Sequence, residues 1–168
     1  MKTGTKRTAI LGSGNIGMSL AKGLVKADYC KPADITLTRR NVQRLDTIAA
    51  QGFQVSSDNY AAAAGASIVI LAVLPQQLDN LLEQIDGAID PAKHLVISVI
   101  SGVSCADIRA KLGSRVQVVR VMPNTAIAIG ESMTCVASDN AEAENIAEVS
   151  RMFETVGSVI KINEDLMT

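Results

Sequence analysis

Short apolar runs rich in Val and Ile recur along the chain at Thr8–Leu11, Ile35–Thr38, Ile68–Val73, Leu95–Ile100 and Val116–Met122. Except at Ile35–Thr38, where Thr alternates with Ile and Leu, they are apolar at most positions, the pattern of strands buried on both faces. Between them, apolar residues fall at helical spacing. Ile16, Leu20, Leu24 and Ala27 predict a helix over 16–27, and Val42, Leu45, Ile48 and Ala49 predict one over 42–50. Gln76–Ile85 and Ala106–Leu112 read the same way. Pro75 suits a first helical turn, where its missing N–H costs nothing, and Ser104 with Asp107 three residues on has the spacing of a capping box. After Asn124 come an apolar stretch at Met133–Ala137, a helical one at Ala141–Phe153 and a strand-like one at Ser158–Ile162, which extend the same sheet. Strands alternating with helices in this rhythm give an α/β fold: a doubly wound, mostly parallel sheet with helices on both faces.

Composition narrows the chemistry. At 168 residues one core is expected, and with 48% apolar residues but only two Tyr, two Phe and no Trp it must be built from Ala, Val, Ile and Leu. The net charge of −1 leaves no basic stripe for a phosphate backbone, so nucleic acid is not an expected partner. The longest apolar run, Ile68–Leu74, is far short of the ~20 residues that span a bilayer, so no membrane role is expected. Lys2, Lys6 and Arg7 precede an apolar stretch as in a secretory leader, but Gly12, Gly14, Asn15 and Gly17 interrupt it at once. Cys30, Cys105 and Cys135 have neither the number nor the spacing of a disulfide framework or zinc site. A cytoplasmic location and no metal are the expectations.

The first strand runs directly into Gly12-Ser13-Gly14-Asn15-Ile16-Gly17, the G-x-G-x-x-G arrangement, with a helix opening behind it. In that setting the first glycine permits the turn, the second lets the backbone approach a pyrophosphate, and the third lets the helix pack against the strand. The anion sits on free N–H groups at the positive end of the helix dipole. The fold is thereby a Rossmann-type dinucleotide domain, expected over residues 1–162. An NAD site usually has an acidic residue ending the second strand, to hold the ribose hydroxyls. Here that strand delivers Thr38, Arg39 and Arg40. Guanidinium groups match phosphate oxygens, so NADP(H) is expected, with NADPH preferred over NADH. The bland alternative is a solvated arginine pair.

The second half carries four further motifs: Ala72-Val73-Leu74-Pro75-Gln76, Ser98-Val99-Ile100-Ser101-Gly102-Val103-Ser104, Val119-Arg120-Val121-Met122-Pro123-Asn124-Thr125 and Gly130-Glu131-Ser132-Met133-Thr134. Together and in this order they resemble pyrroline-5-carboxylate reductase, from about Thr8 to the end of the chain. The family usually has Lys where Leu74 stands and Ala where Ser101 stands. The resemblance implies that Asn59, Ala72 to Pro75, and Val99, Ile100 and Ser101 join the glycine loop and Arg39 around NADP. It implies NADPH-dependent reduction of a small cyclic imine, 1-pyrroline-5-carboxylate, to proline, and a homo-oligomeric whole protein. It also implies a helical second domain carrying the dimer interface and much of the substrate site. Residues 163–168 are then the start of the connection, and this chain alone is expected to be inactive.

The ends of open α/β strands are where ligands bind, which independently favours Leu74 and Ser101. Asn59 reads equally well as part of a helix cap, and Asn124 equally well as a turn residue after Pro123 or as a group beside the nicotinamide. His94, at the entrance to its strand, is expected to be structural, and Cys105 a small buried residue. Glu142, Glu144 and Glu148 read as a solvated helix face. No residue stands out as the acid that protonates an imine. A related imine or deazaflavin oxidoreductase, a nucleotide sensor without chemistry and, less favoured, a methyltransferase are the rival readings.

Overall fold

The structure, a computed structural model, describes residues 6–167; Lys2 and Thr168 lie outside the described residues. In chain order the strands are β1 (Thr8–Leu11), β2 (Ile35–Thr38), β3 (Gln54–Ser56), β4 (Ile68–Leu71), β5 (Leu95–Ser98), β6 (Gln117–Met122), β7 (Ser132–Ala137) and β8 (Gly157–Lys161). The α-helices are α1 (Asn15–Lys26), α2 (Asp46–Ala49), α3 (Asn59–Ala64), α4 (Leu78–Gln84), α5 (Cys105–Leu112) and α6 (Ala143–Glu154). All eight strands form one sheet in the order β3-β2-β1-β4-β5-β6-β7-β8. β1 to β6 pair in parallel, β7 runs antiparallel to β6, and β8 is parallel to β7.

The continuous apolar runs are explained by two cores, one on each side of the sheet. Ile10, Leu37, Ile70, Ile97 and Val119 pack on one side against Leu20 and Leu24 of α1 and Val149, Met152 and Phe153 of α6. Their neighbours Ala9, Leu11, Val69, Val96 and Val118 face the other side, against Ala62, Ala63, Leu81, Leu82 and Ile108 of α3, α4 and α5. Every residue of β1, β4 and β5 is buried. Each fully buried Leu or Ile contributes about 1.5–3 kcal/mol, so the sheet centre is its firmest part.

Several details depart from the sequence pattern. The stretch expected as one helix over 42–50 is a 3-10 turn at Val42–Leu45 followed by the single turn of α2. It buries Leu45 and Ile48 as the pattern required, but Asn41 makes no side-chain cap and Thr47 and Ile48 are β-branched, so a continuous helix is not favoured. β3 was not anticipated; it is three residues long and only partly buried, at the sheet edge. β4 and β5 stop two residues short of the predicted runs, leaving Ala72-Val73 and Val99-Ile100 as loops at the strand ends. Pro75 opens a 3-10 turn over Pro75–Gln77 ahead of α4, and Ser104 caps α5 through reciprocal bonds with Asp107. Residues 163–167 fold back onto the sheet, with Met167 buried and a 3-10 turn at Glu164–Leu166.

Candidate functional site

The turn from β1 into α1 is built by three glycines with different duties. Gly12 sits at φ +105, and a Cβ there would lie 2.5 Å from the Ala72 carbonyl oxygen. A Cβ on Gly17 would run into the Gly12 carbonyl, so its absence lets α1 start directly over the strand end. Gly14, the N-cap of α1, faces open space, with no atom within 4 Å of where its Cβ would be. α1 has no side-chain cap and no acidic residue in its first turn. Its leading N–H groups and the positive end of its dipole are therefore left for an anion. The Ser13 hydroxyl is the one buried side-chain polar atom without a hydrogen-bond partner among the described residues. Such an orphan costs about 1–3 kcal/mol, and an acceptor on a ligand would relieve it.

This turn forms one wall of a cleft of about 1020 Å³ running along the carboxyl ends of the parallel strands. Gly12, Ser13, Gly14, Asn15 and Ile16 line it, with Thr38, Arg39 and Arg40 after β2, and Asn59 at the start of α3. Ala72, Val73, Leu74 and Pro75 after β4, and Val99, Ile100 and Ser101 after β5, complete the set that the sequence singled out. Gly17 does not line the cleft; it is buried beneath the turn. Asn124 does not line it either. Its side chain caps the following 3-10 turn by accepting from the Ala126 N–H at 3.1 Å, which is the turn reading of that residue. The sequence reading missed Asn41, Arg44, Ser57, Gln77, Asn80, Leu81 and Gln84 as lining residues. Arg44 follows Arg40 by one turn, and Asn80 and Gln84 stand four apart on α4. The spacing was visible, but not which way those short elements face.

The electrostatics of the cleft are one-sided. Arg39, Arg40 and Arg44 line it, and among the described residues no Asp, Glu, His or Lys does. None of the three arginines is paired with a carboxylate among the described residues. Arg39 reaches back over the turn, donating to the Ser13 carbonyl at 3.4 Å, while Arg40 and Arg44 are exposed. A polar chain lines the same wall. The buried Thr38 hydroxyl accepts from the Gly12 N–H at 3.3 Å and donates to Asn59 Oδ1 at 2.6 Å. Asn59 Nδ2 donates to Gln84 Oε1 at 2.7 Å, and Gln84 Nε2 donates to Asn80 Oδ1 at 2.6 Å. Asp58, not Asn59, caps α3, accepting from Ala61 N–H. The exposed Leu74 brings no charge where the resembled family has Lys, and its N–H is held by Gln77 Oε1 at 3.3 Å. At the end of β5, Ser98 rather than Ser101 holds the turn, its hydroxyl accepting from Ile100 N–H.

The remaining titratable candidates lie outside the cleft. His94 is buried, its Nε2 at 3.1 Å from the Ala63 carbonyl and its Nδ1 accepting from the Asp90 N–H, so it ties the end of α3 to the start of β5. Cys105 opens α5, but burial, followed by the nearby Glu164 carboxylate, pushes its thiol up to about 12, against the helix-dipole effect. Glu148, expected in a solvated face, is mostly buried and pairs with Lys6; only Glu142 and Glu144 are exposed. Cys105, Asp139 and Glu164 converge closely enough to suggest metal ligands. Yet Asp139 takes a two-pronged bond from Arg109, which holds its carboxyl below the usual range, and Glu164 is engaged by Arg120. The charges are already balanced by guanidinium groups.

A family profile described as NADP oxidoreductase, coenzyme F420-dependent, matches residues 7–102. Pyrroline-5-carboxylate reductase 2 of Dictyostelium discoideum is 41% identical over 178 residues, covering 96% of this chain and 59% of that protein. Among solved structures, a pyrroline-5-carboxylate reductase from Coxiella burnetii superposes with a TM-score of 0.88 at 29% identity, over 94% of this chain and 59% of that one. The Plasmodium falciparum pyrroline carboxylate reductase with NADP bound has the same fold, with a TM-score of 0.86 at 24% identity and coverage of 96% and 59%. The chain thus spans about three fifths of the length of these relatives.

Proposed function

Since the chain belongs to the coenzyme F420-dependent NADP oxidoreductase family, we propose that it is the NADP(H)-holding part of a pyrroline-5-carboxylate reductase. The observation that carries this reading is the cleft in which the uncapped helix end, the Ser13 hydroxyl and three arginines meet, the hydroxyl without a hydrogen-bond partner and the arginines without a carboxylate partner among the described residues. A dinucleotide fits that set. Its pyrophosphate would sit on the N–H groups of Gly14, Asn15 and Ile16, where the missing Cβ of Gly14 leaves room for close approach. Its 2′-phosphate would lie among Arg39, Arg40 and Arg44 beside Thr38, which is the basis for preferring NADPH over NADH. Ala72 to Pro75 and Val99 to Ser101 would flank the extended molecule along the strand ends, with Asn59 on the adenosine side and Asn124 beyond the nicotinamide side. Bound NADPH would supply hydride to the C=N carbon of 1-pyrroline-5-carboxylate.

A protonated cyclic imine is electrophilic enough to need mainly positioning, which accords with a cleft lined by no carboxylate, histidine or lysine among the described residues. The proton and the substrate's carboxylate would then be handled by groups outside this chain's cleft. The whole protein would be a cytoplasmic homo-oligomer, a state supported by Met133 and Ile160 standing half-exposed on the outer strands β7 and β8. The test has two parts. Calorimetry should find NADPH bound by this chain, while consumption of NADPH that depends on pyrroline-5-carboxylate should appear only with the whole protein. Failure of this chain to bind either dinucleotide would overturn the cofactor reading. A whole protein that binds NADPH but turns over no pyrroline-5-carboxylate would overturn the substrate.

A further inference from the structure

The glycine turn is not held by its own residues alone. The Gly12 N–H, at the strained start of the turn, is spoken for by the Thr38 hydroxyl, which is 2% exposed and has Asn59 Oδ1 as its other partner. With its acceptor side facing Gly12, the hydroxyl directs its proton to Asn59, so the Asn59 amide must present oxygen inward and nitrogen outward. An amide in that orientation needs an acceptor outside, and Gln84 Oε1 supplies it at 2.7 Å. Gln84 is oriented in turn by donating to Asn80 on the preceding turn of the same helix. Every bond in the chain runs in a sense that fixes the next, across four separate elements.

We infer that Gln84 is a positioning residue for the dinucleotide cleft, acting through Asn59 and Thr38 to hold the Gly12 N–H and with it the anion-binding turn. This rests on the dinucleotide reading above and adds a residue from α4, which neither the glycine motif nor the arginines involve. Gln84 is exposed, so its replacement leaves both cores intact. Losing its acceptor frees the Asn59 amide to rotate, and the buried Thr38 hydroxyl then loses its fixed partner. The turn serves the pyrophosphate common to both cofactors, so the consequence falls on NADPH and NADH alike, unlike a loss at the arginines.

The experiment compares the unsubstituted chain with Gln84→Leu, Thr38→Val and the double variant. Calorimetric titration with NADPH and with NADH should show Gln84→Leu weakening both by about three- to tenfold, the equivalent of one neutral hydrogen bond. The double variant should bind no more weakly than Thr38→Val alone, because Gln84 has nothing to act through once the hydroxyl is gone. Gln84→Glu, which keeps the acceptor for Asn59, should recover NADH binding. Without any cofactor, amide hydrogen exchange at Gly12 should speed up several-fold in Gln84→Leu while β4 and β5 keep their protection. Unchanged affinity in Gln84→Leu, additive losses in the double variant, or an unchanged exchange rate at Gly12 would each overturn the inference. If the unsubstituted chain binds neither dinucleotide, the cofactor reading falls and the positioning role for it falls too. Exchange at Gly12 then still tells whether the bond chain holds the turn.

Discussion

Replacing Glu164 by Gln removes one charge from a pair that the fold encloses. Arg120 is 6% exposed on β6, with its Nη1 at 3.3 Å from Glu164 Oε1 and its Nη2 donating to the Met167 carbonyl at 2.8 Å. Glu164 Oε1 also accepts from the Cys105 N–H at 2.6 Å, so it serves the first turn of α5 as well. A Gln oxygen can still accept that N–H, so the variant isolates the charge. Stranding a buried guanidinium costs about 3–5 kcal/mol when a pair is fully enclosed. The Glu164 side chain is 14% exposed, which places the loss near the low end, about 3 kcal/mol. In a domain of this size that lowers Tm by roughly 6–12 °C. Arg120→Met should cost a similar amount by leaving the Glu164 charge without its partner. The double variant Arg120→Met, Glu164→Gln should lose less than either single one, about 1–2 kcal/mol, because no lone charge remains. Urea unfolding of the four proteins reads this directly. A Glu164→Gln loss below about 1 kcal/mol, or losses that simply add in the double variant, would show that the pair is effectively solvated and refute the reasoning.

Arg40→Ala and Arg44→Ala should each weaken NADPH about tenfold and leave NADH nearly unchanged, with the difference shrinking at high salt; equal losses of both cofactors in calorimetry would show that neither reads the 2′-phosphate. Arg39→Ala should also touch NADH slightly, because Arg39 contacts the Ser13 carbonyl of the turn. Gly17→Ala forces α1 away from the Gly12 carbonyl and should cost about 1–3 kcal/mol in urea unfolding together with most NADPH affinity; an unchanged protein would mean the helix is free to shift. Cys105 has a folded value raised to about 12, so its contribution is intact below the ordinary thiol range near 8.5 and decays as pH rises toward 12, where the unfolded chain ionises first. Between pH 8.5 and 9.5 the unsubstituted chain should therefore lose about 1 kcal/mol more stability than Cys105→Ala, as measured by urea unfolding at the two pH values.

The glycine turn, the paired arginines and the strand ends were legible because each is set by a few adjacent residues. Gly12-Ser13-Gly14 needs only a strand before it and a helix after it, and Thr38-Arg39-Arg40 follows β2 directly. Arg44 and Gln84 were not legible for the same reason in reverse. Arg44 reaches the cleft from the 3-10 turn at Val42–Leu45, and Gln84 meets Asn59 because α3 lies beside α4, placements that no few adjacent residues set. Glu148 looked like one more charge on a helix face, since its partner Lys6 stands at the far end of the chain. Asn59 shows a different limit. Both of its readings had substance: it opens α3 directly after the Asp58 cap and it lines the cleft, two roles that one-dimensional patterns treat as rivals.

The place of β1 in the sheet bears on how the chain is made. β1 is synthesised before both of its sheet partners, yet it is an inner strand, pairing with Ile35–Thr38 on one side and with Ile68–Leu71 on the other. All four of its residues are buried in the finished domain, and none can be covered on both sides until the chain has been extended through Leu71. At about 5–20 residues per second, translation leaves Ala9, Ile10 and Leu11 with an open edge for several seconds. The glycine turn follows β1 directly, so the anion-binding loop is translated about sixty residues before Ala72, the residue that presses against Gly12 in the finished turn. During that interval Ala9, Ile10 and Leu11 stand as an apolar stretch with an unpaired edge, open to other unfinished chains.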